Sequence, residues 1–259
     1  MPQIIEEQSE AAVLTEEIEY SVSAPFDHTV EYSDEYYERY IESFEQNNRK
    51  RYFYRFIKRA FDIVASFIMM LLLLPVFAII AIAIKCDSEG PVIFKQLRIG
   101  KNGKPFHCLK FRSMSIKAPH DCATYLLRDA RSYYTKVGKI LRKTSLDELP
   151  QLWCVFIGKM SFIGYRPLIV NEECNDMRAR LGVFSMRPGI SGYAQVNGRD
   201  DLSYKNKAIL DAIYVKNASL WFDIKLCFKT VAVVLNRTGN DANKKKVQEE
   251  KKAQEEATV

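Results

Sequence analysis

The amino-acid sequence predicts a mainly helical α+β protein, in which a re-entrant membrane helix-hairpin is fused to a small cytoplasmic domain that carries a β-hairpin. Three observations lead to this fold class. An almost unbroken apolar run covers residues 61–84, and Pro75 interrupts it. Two extended runs, 91–100 and 106–111, are joined by an Asn-Gly turn. The segments that follow carry apolar residues at the spacing of short helices.

The apolar run is long enough to cross the hydrocarbon core of a bilayer as a helix. The alternative is a buried helix of a soluble protein, but such a helix is seldom apolar on every face over this length. Pro75 lacks a backbone N–H and clashes with the carbonyl group four residues earlier, so we expect a bend. Basic residues flank the run on both sides, at 49–59 and 85–101, so the positive-inside rule favours neither direction of a straight crossing. A helix that bends at Pro75 and returns to its side of entry would place both flanks in the cytoplasm.

The remaining elements follow from local signals. Asn102-Gly103 lies between the two extended runs, and Asn-Gly is the strongest short-range hairpin signal. Apolar spacing between Pro and Gly breaks predicts short helices at four places. These helices cover residues 125–142, 149–157, 168–181 and 205–214.

Charge is distributed unevenly along the chain. Residues 1–45 carry thirteen Asp or Glu and one basic residue, Arg39, whereas the whole chain has a net charge of +6. The basic remainder suits an anionic partner, either a membrane surface, a phosphorylated substrate or nucleic acid, and the acidic head argues against nucleic acid. The six cysteines form no CxxC pair and the histidines lie at no metal-ligand spacing from them, which indicates reduced thiols in the cytosol.

Composition divides the chain into four parts. Residues 1–48 are an acidic tail without sustained periodicity, which predicts disorder or an interaction tail. Residues 49–85 are the basic flank and membrane helix, and 86–236 form the body of the protein. Residues 237–259 are charged and polar, so they contribute nothing to a core.

Adjacent carboxylates, Asp147 and Glu148, stand in the run RKTSLDELPQLW at residues 142–153. The purely structural interpretation is a capping box, with Ser145 as the N-cap residue and Glu148 three positions later. That interpretation leaves Asp147 without a role, and Pro150 leaves free backbone N–H groups nearby for an anion. Because neighbouring helical positions point about 100° apart, one carboxylate could attack while the other holds a metal ion.

Several motifs of this sequence resemble those of the bacterial sugar transferases, the monotopic polyprenyl-phosphate phosphoglycosyl transferases. They are KRAFD at 58–62, KFRSM at 110–114, TSLDELPQLW at 144–153, RP at 166–167 and RPGISGYAQVNGR at 187–199. The likeness covers about residues 54–234. Three positions depart from the family pattern, where Cys154, Lys159 and Tyr165 stand in place of Asn, Asp and Pro.

The resemblance implies that Asp147 is a nucleophile that forms a covalent aspartyl-phosphosugar, and that Glu148 is the ligand of Mg²⁺ or Mn²⁺. The implied reaction transfers a sugar 1-phosphate from a UDP-sugar to undecaprenyl phosphate or another polyprenyl phosphate, releasing UMP. The implied place is the cytoplasmic face of the bacterial inner membrane, with Pro75 at the bend of a re-entrant helix and residues 86–236 as the catalytic domain. The reaction would be the first membrane step in the assembly of an exopolysaccharide, capsule, O-antigen or glycoprotein glycan.

A carboxylate that attacks a pyrophosphate meets like charge, so fixed cations are needed beside the metal. Taken singly, the basic candidates are typical of a solvated surface; within the motifs, Arg112, Arg166 and Arg199 are the strongest. Glycines in the 187–199 stretch let the backbone approach a phosphate or base. The candidate substrate-binding residues are Lys110, Arg112, Arg142, Arg166, Arg187, Gln195, Asn197 and Arg199.

Two other classes of function compete with this interpretation. A membrane-anchored scaffold, whose basic body binds anionic lipid and whose acidic head recruits a partner, explains the charge asymmetry but leaves the long motifs without purpose. A polytopic transferase would need many spanning helices, and this chain has one apolar stretch. Self-association, or association with downstream glycosyltransferases, is a further expectation about partners.

Overall fold

The computed structural model describes residues 26–30, 32–44, 51–119, 130–170, 174–198 and 202–236. The α-helices are α1 (Asp34–Ser43), α2 (Tyr52–Leu72), α3 (Leu74–Asp87), α4 (Lys136–Thr144), α5 (Gln151–Phe156), α6 (Cys174–Arg180), α7 (Tyr193–Val196), α8 (Tyr204–Asn217) and α9 (Leu220–Asn236). The strands are β1 (Ile93–Ile99), β2 (Pro105–Phe111), β3 (Ser161–Ile163) and β4 (Gly189–Ser191). The prediction of a mainly helical α+β protein is confirmed.

The apolar run forms two helices, α2 and α3, whose axes differ by 61°. The break lies at Leu73, whose N–H still donates to the Met69 carbonyl oxygen at 2.9 Å. Pro75 follows in the first turn of α3, where a missing N–H costs nothing. The predicted bend is therefore confirmed. No single helix in the described ranges is long and apolar enough to cross a membrane, whereas the bent pair taken together passes that test of length and composition.

The KRAFD motif docks α2 onto the rest of the protein. Arg59 donates to the carbonyl groups of the last two residues of α5, each at 2.7 Å, and so satisfies groups that a helix end leaves open. Lys58 pairs with Asp223 of α9 at 2.7 Å. The Asp62 carboxylate accepts a hydrogen bond from Ser161 of β3 at 3.1 Å. One motif thus ties the bent helix pair to three elements.

The predicted β-hairpin is confirmed. Strands β1 and β2 pair antiparallel, with Ile93 opposite Phe111 and Ile99 opposite Pro105. At the turn Asn102 adopts a left-handed conformation with φ of 57°, and Gly103 has φ of 71°. Asn and Gly tolerate this conformation better than other residues, which explains why the Asn-Gly signal was informative.

A second, parallel pair of strands was not predicted from the sequence. In β3 and β4 Ser161 lies opposite Gly189 and Ile163 opposite Ser191. Three residues per strand are too few to show an alternating pattern, so periodicity could not reveal them. The backbones approach so closely that a methyl group at Gly164 or Gly189 would overlap the other segment's main chain.

Part of the N-terminal tail is folded onto the protein. Residues 26–30 and 32–44, here called the N-terminal segment, contain α1 and bring Tyr36 and Tyr37 into a core cluster with Tyr165. The Tyr37 hydroxyl donates to Asn206 of α8 at 2.6 Å, and the Asn206 amide donates to the Val30 carbonyl oxygen at 2.8 Å. The prediction of disorder is wrong for these residues, because aromatic burial outweighs their acidic composition.

The helix predictions succeeded in part. Helices α5 and α8 confirm the predicted 149–157 and 205–214, whereas α4 and α6 are shorter than the predicted 125–142 and 168–181. Helix α9 was not predicted. The stretches 120–129 and 237–259 lie outside the described residues, so the predictions for them, and the domain boundaries, stay predictions. Within the described chain the free cysteines are Cys86, Cys108, Cys154 and Cys227.

Candidate active site

The carboxylate pair lies on a tight turn between α4 and α5. Ser145 ends α4 in a left-handed conformation with φ of 59°, and residues Leu146–Glu148 then form one 3₁₀ turn. The Ser145 side chain makes no capping hydrogen bond, and the Glu148 side chain bonds to Lys110. The capping-box interpretation is therefore wrong, and both carboxylates remain available for chemistry.

Glu148 is held by cations. Its Oε1 lies 2.8 Å from Nζ of Lys110 on β2 and 3.7 Å from the Arg166 guanidinium. Burial opposes ionisation of Glu148, but the charges of Lys110 and Arg166 outweigh it and lower the pKa of the carboxyl to about 2. Glu148 is thus a carboxylate at any physiological pH.

Asp147 has a different environment. Its side chain is 7% exposed, and its carboxylate makes no hydrogen bond with another residue in the described part of the chain. Burial raises the pKa of Asp147, and the negative charge of Glu148 adds to this, while Lys110, Arg142 and Arg166 act in the opposite direction. A carboxylate that is desolvated, lacks donors and faces cations is a strong nucleophile toward an anionic phosphorus centre.

Arg142 is positioned by a close helix approach. Its Nε donates to Oγ of Ser113 at 2.9 Å, and its Nη1 donates to the Tyr134 hydroxyl at 2.7 Å. The guanidinium carbon also lies 4.6 Å from the centroid of the Tyr134 ring. One turn earlier in α4, a side chain at Gly138 would overlap the Ser113 carbonyl group. Gly138 therefore lets α4 sit against the end of β2, a role that sequence reasoning missed.

Arg112 and Arg187 lie elsewhere. The Arg112 guanidinium is buried and donates to the carbonyl oxygens of Ser88 and Glu89, where α3 leads into the hairpin. Arg187 donates to the Gly158 carbonyl oxygen at 2.8 Å and lines a separate basic pocket beside α2. Neither makes an ion pair with Glu148 or Asp147 in the described part of the molecule. Their substrate-binding role stays a prediction.

The other predicted residues belong to the segment around α7. Both polar atoms of the Gln195 amide are buried without a hydrogen-bond partner in the described structure. Asn197 donates to the Tyr193 carbonyl oxygen at 2.8 Å and accepts from Lys229 of α9 at 2.6 Å. Arg199 lies outside the described residues. The structure thus brings Lys110, Arg142 and Arg166 to the carboxylate pair, whereas Arg112, Arg187 and Asn197 contact other parts of the described chain.

A buried ion pair behind Arg166 was not anticipated. Arg178 of α6 and Asp211 of α8 are both fully buried, with Nη2 and Oδ2 2.5 Å apart. Nη1 of Arg178 also donates to the Arg166 carbonyl oxygen at 3.1 Å, so the pair fixes the backbone beside the site. The signal available in the sequence was Asp211 itself, a charge inside the apolar helical run AILDAIYV.

Mg²⁺ binds hard oxygen ligands, and the carboxylate turn carries two such groups. Within the described ranges no group of three His, Cys, Asp or Glu side chains is placed to hold a metal ion. Mg²⁺ in nucleotide enzymes is held by one or two carboxylates together with substrate phosphates and water, so an ion is not expected to need a full protein cage. Asp147 and Glu148 supply hard oxygen atoms of that kind. The oxygen donors present therefore fit a hard divalent cation such as Mg²⁺ or Mn²⁺.

Comparison with known proteins places the chain in a family. The model of the family described as "Bacterial sugar transferase" matches residues 53–237. A UDP-galactose-lipid carrier transferase of Erwinia amylovora is 40% identical over 208 residues, which are 74% of this chain and 43% of that protein.

Two further relatives have different lengths. A UDP-glucose:undecaprenyl-phosphate glucose-1-phosphate transferase of Escherichia coli K12 is 44% identical over 68% of this chain and 40% of its own. The exopolysaccharide production protein ExoY of Rhizobium meliloti is 39% identical over 70% of this chain and 86% of its own. The chain thus spans less than half of the longer relatives and most of ExoY. From these matches and the carboxylate turn we conclude that the chain is a member of the bacterial sugar transferase family.

Proposed function

We propose that this protein is a phosphoglycosyl transferase that moves a sugar 1-phosphate from a UDP-sugar to undecaprenyl phosphate, or a related polyprenyl phosphate, with release of UMP. The observation that carries the proposal is the carboxylate turn. A buried Asp147, to which no residue of the described ranges donates a hydrogen bond, adjoins Glu148, whose negative charge is held by Lys110 and Arg166. The printed names of the relatives support the class of donor and acceptor.

The proposed reaction has two displacements. An oxygen of Asp147 attacks the phosphorus that bears the sugar, the bond from that phosphorus to the bridging oxygen breaks, and UMP leaves with the electron pair. An oxygen of the polyprenyl phosphate then attacks the same phosphorus, the acyl phosphate bond breaks, and the Asp147 carboxylate is regenerated. Dividing the transfer in this way avoids the direct meeting of two bulky anions.

The surrounding residues have distinct tasks in this proposal. Lys110, Arg142 and Arg166 neutralise charge on the pyrophosphate, because a fixed cation in a partly buried site costs no reorganisation during the reaction. Glu148 would hold the divalent cation. When bound, Mg²⁺ or Mn²⁺ supplies further neutralisation of the phosphates and of the leaving UMP. No general base is required for the acceptor, since the second pKa of a phosphate monoester is near 6 and the group is already largely ionised.

We also propose that the helix pair is a re-entrant membrane element with the catalytic residues at the cytoplasmic face. Large apolar side chains on α2 and α3 are exposed, including Phe61 at 59%, Leu72 at 72% and Ile79 at 67%. Helix α9 adds exposed Trp221 and Phe228, at 65% and 74%. An apolar surface of this extent is costly in water and marks an interface with lipid or another protein.

The covalent step is tested by trapping. The purified protein is incubated with UDP-sugar labelled in the sugar-proximal phosphate, without a lipid acceptor, and protein-bound label is measured after acid quenching. Label should be retained and released by hydroxylamine, which cleaves acyl phosphates. Asp147→Asn should retain none, whereas Asp176→Asn, an exposed aspartate on α6, should label as the parent does. Absence of label, with initial rates that require a ternary complex, would refute the covalent route.

Metal-dependent UMP release tests the reaction itself. A panel of UDP-sugars with the lipid acceptor should give UMP with one or a few sugars only, and EDTA should abolish release. Lack of release with every sugar, in a protein that still binds anionic membranes, would favour the scaffold hypothesis.

A further inference from the structure

A second basic pocket lies at the base of α2 and shares no residue with the carboxylate site. Its cationic lining comes from three parts of the chain: α2, the hairpin turn, and the residue before Pro188. The charged side chains that line it are Arg55, Lys58, Arg59, Asp62, Lys101 and Arg187. Arg187, which belongs to one of the family motifs, therefore lines this pocket and not the carboxylate turn.

Positive charge in this pocket is poorly balanced. Lys58 is neutralised by Asp223, at 2.7 Å. Four cations remain, Arg55, Arg59, Lys101 and Arg187, and they face one carboxylate, Asp62. That carboxylate accepts hydrogen bonds from Ser161 Oγ and the Phe162 N–H, which are uncharged donors, so it forms no ion pair within the described structure.

Two of the four cations have no protein partner at all among the described residues. Arg59 and Arg187 donate to backbone carbonyl oxygens, but the side chains of Arg55 and Lys101 make no hydrogen bond or ion pair there. Burial lowers the pKa of Lys101, and the charges of Arg187 and Arg55 lower it further. Burial also lowers the pKa of Arg187, with Arg59 adding to the effect. Water screens part of this repulsion at the exposed Arg55, and a bound anion would reduce it further.

The pocket adjoins the apolar part of α2. Arg55 precedes Phe61 by six residues, which at 1.5 Å per residue is about 9 Å along the helix. The headgroup layer on each side of a bilayer is roughly 5–8 Å thick. With the exposed apolar face of α2 in hydrocarbon, as proposed above, the backbone of Arg55 lies at the outer edge of the headgroup layer, and its long side chain can reach the phosphate groups. Phe53 and Phe56, 75% and 73% exposed beside it, are suited to the same interface.

We propose that this pocket binds the phosphate group of an anionic phospholipid from the cytoplasmic leaflet, as a lipid site separate from the carboxylate site. A phosphate group matches four cations that come from distant parts of the chain, since it accepts hydrogen bonds on several oxygens. The membrane is its source because three lining residues, Arg55, Lys58 and Arg59, belong to α2, the helix whose apolar and aromatic side chains are exposed. Such a site fixes the depth of the bent helix pair and links α2, the hairpin turn and Arg187 through one ligand.

The test uses lysine reactivity as the readout, so it does not depend on turnover. The full chain is reconstituted into nanodiscs of phosphatidylcholine alone, or of phosphatidylcholine with phosphatidylglycerol, and labelled briefly with an amine reagent before mass spectrometry. Lys104, exposed in the same hairpin turn, is the internal reference. It reports the general effect of negative surface potential, which acts on both lysines.

Phosphatidylglycerol should lower the labelling of Lys101 relative to Lys104 by roughly fivefold, because a bound phosphate raises the pKa of Lys101 and leaves less of the reactive neutral amine. In Arg55→Gln the fall should be less than about twofold, since one of the unpartnered cations is gone. Lys95→Gln, which removes an exposed charge from β1, should behave as the parent does.

Three results would overturn the proposal. Equal protection of Lys101 and Lys104 would mean that surface potential alone acts. Protection of Lys101 by inorganic phosphate in phosphatidylcholine discs, to the same degree as by phosphatidylglycerol, would assign the pocket to a free anion. Full protection of Lys101 in Arg55→Gln would show that the cations of the pocket do not bind the phosphate group.

Discussion

Replacing Glu148 by Gln tests whether the carboxylate is held by charge, as its contacts with Lys110 and Arg166 indicate. The pKa of Glu148 falls from its ordinary 4.5 to about 2. A difference of about 2.5 pKa units corresponds to about 3 kcal/mol of favourable interaction with the ionised carboxylate. Glu148→Gln should therefore lower the free energy of unfolding at pH 7 by about 3 kcal/mol.

The ion pair of Glu148 with Lys110 also makes the free energy of unfolding depend on pH, and the lowered pKa of Glu148 fixes the sign of that dependence. The stabilisation is fully present above pH 4.5, the pKa of the unfolded carboxyl, and is lost as the pH falls toward the folded value of about 2. Guanidinium unfolding in detergent micelles at pH 7 and at pH 3 measures the loss. The parent protein should lose about 2 kcal/mol more than Glu148→Gln over that interval.

A double-mutant cycle separates the ion pair from other effects. In Lys110→Met/Glu148→Gln neither charge remains, so the double variant should be less destabilised than the sum of the two single variants, by at least about 1.5 kcal/mol. Glu89→Gln, an exposed glutamate after α3, should change stability by less than about 0.5 kcal/mol. Additive effects, or a Glu148→Gln cost below about 1 kcal/mol, would refute the electrostatic account. Near-normal, Mg²⁺-dependent turnover in Glu148→Gln would refute its role as the metal ligand.

Three further changes have defined outcomes. Gly138→Ala should destabilise the protein by about 3 kcal/mol and displace Arg142, because the new methyl group overlaps a carbonyl group; the exposed Lys139→Ala is the control in the same unfolding assay. In a continuous helix through position 75 a proline would cost roughly 3 kcal/mol, so Pro75→Ala removes that cost and should favour a straight crossing. In Lys95→Cys, maleimide should label position 95 from the cytoplasmic side, and in Lys95→Cys/Pro75→Ala it should label it from the opposite side. Opposite-side labelling of Lys95→Cys alone would exclude the re-entrant topology. Asp147 must be ionised to attack, so kcat/KM should be retained above its raised pKa and should fall below it. The fall should begin at a higher pH than for an exposed aspartate. A pH profile of kcat/KM that is flat down to pH 4 would contradict this.

The sequence was most informative where one residue type has a strong backbone preference. Asn102 and Gly103 predicted the hairpin turn because few other residues accept positive φ. Pro75 predicted the bend because its ring prevents a continuous helix. The break itself falls at Leu73, which the sequence could not specify, since either of the residues before a proline can leave the helical conformation.

Contacts between distant parts of the chain were not predictable. The capping-box interpretation of Ser145 and Glu148 rested on local spacing and failed because Lys110, on another element, binds Glu148. The family motifs identified the right turn, and of the basic candidates Lys110, Arg142 and Arg166 meet there. Arg187 lines a second pocket. Its membership of a motif did not predict this, since a sequence motif does not specify which surface each side chain faces.

The N-terminal segment changes what counts as the folding unit of this protein. The region that matches the family begins at residue 53, yet Tyr36 and Tyr37 occupy the same core cluster as Tyr165. A chain trimmed to residue 53 would open that core to water beside the backbone of Arg166. The part of a chain that a family model matches can therefore be shorter than the part that must be present for the core to close.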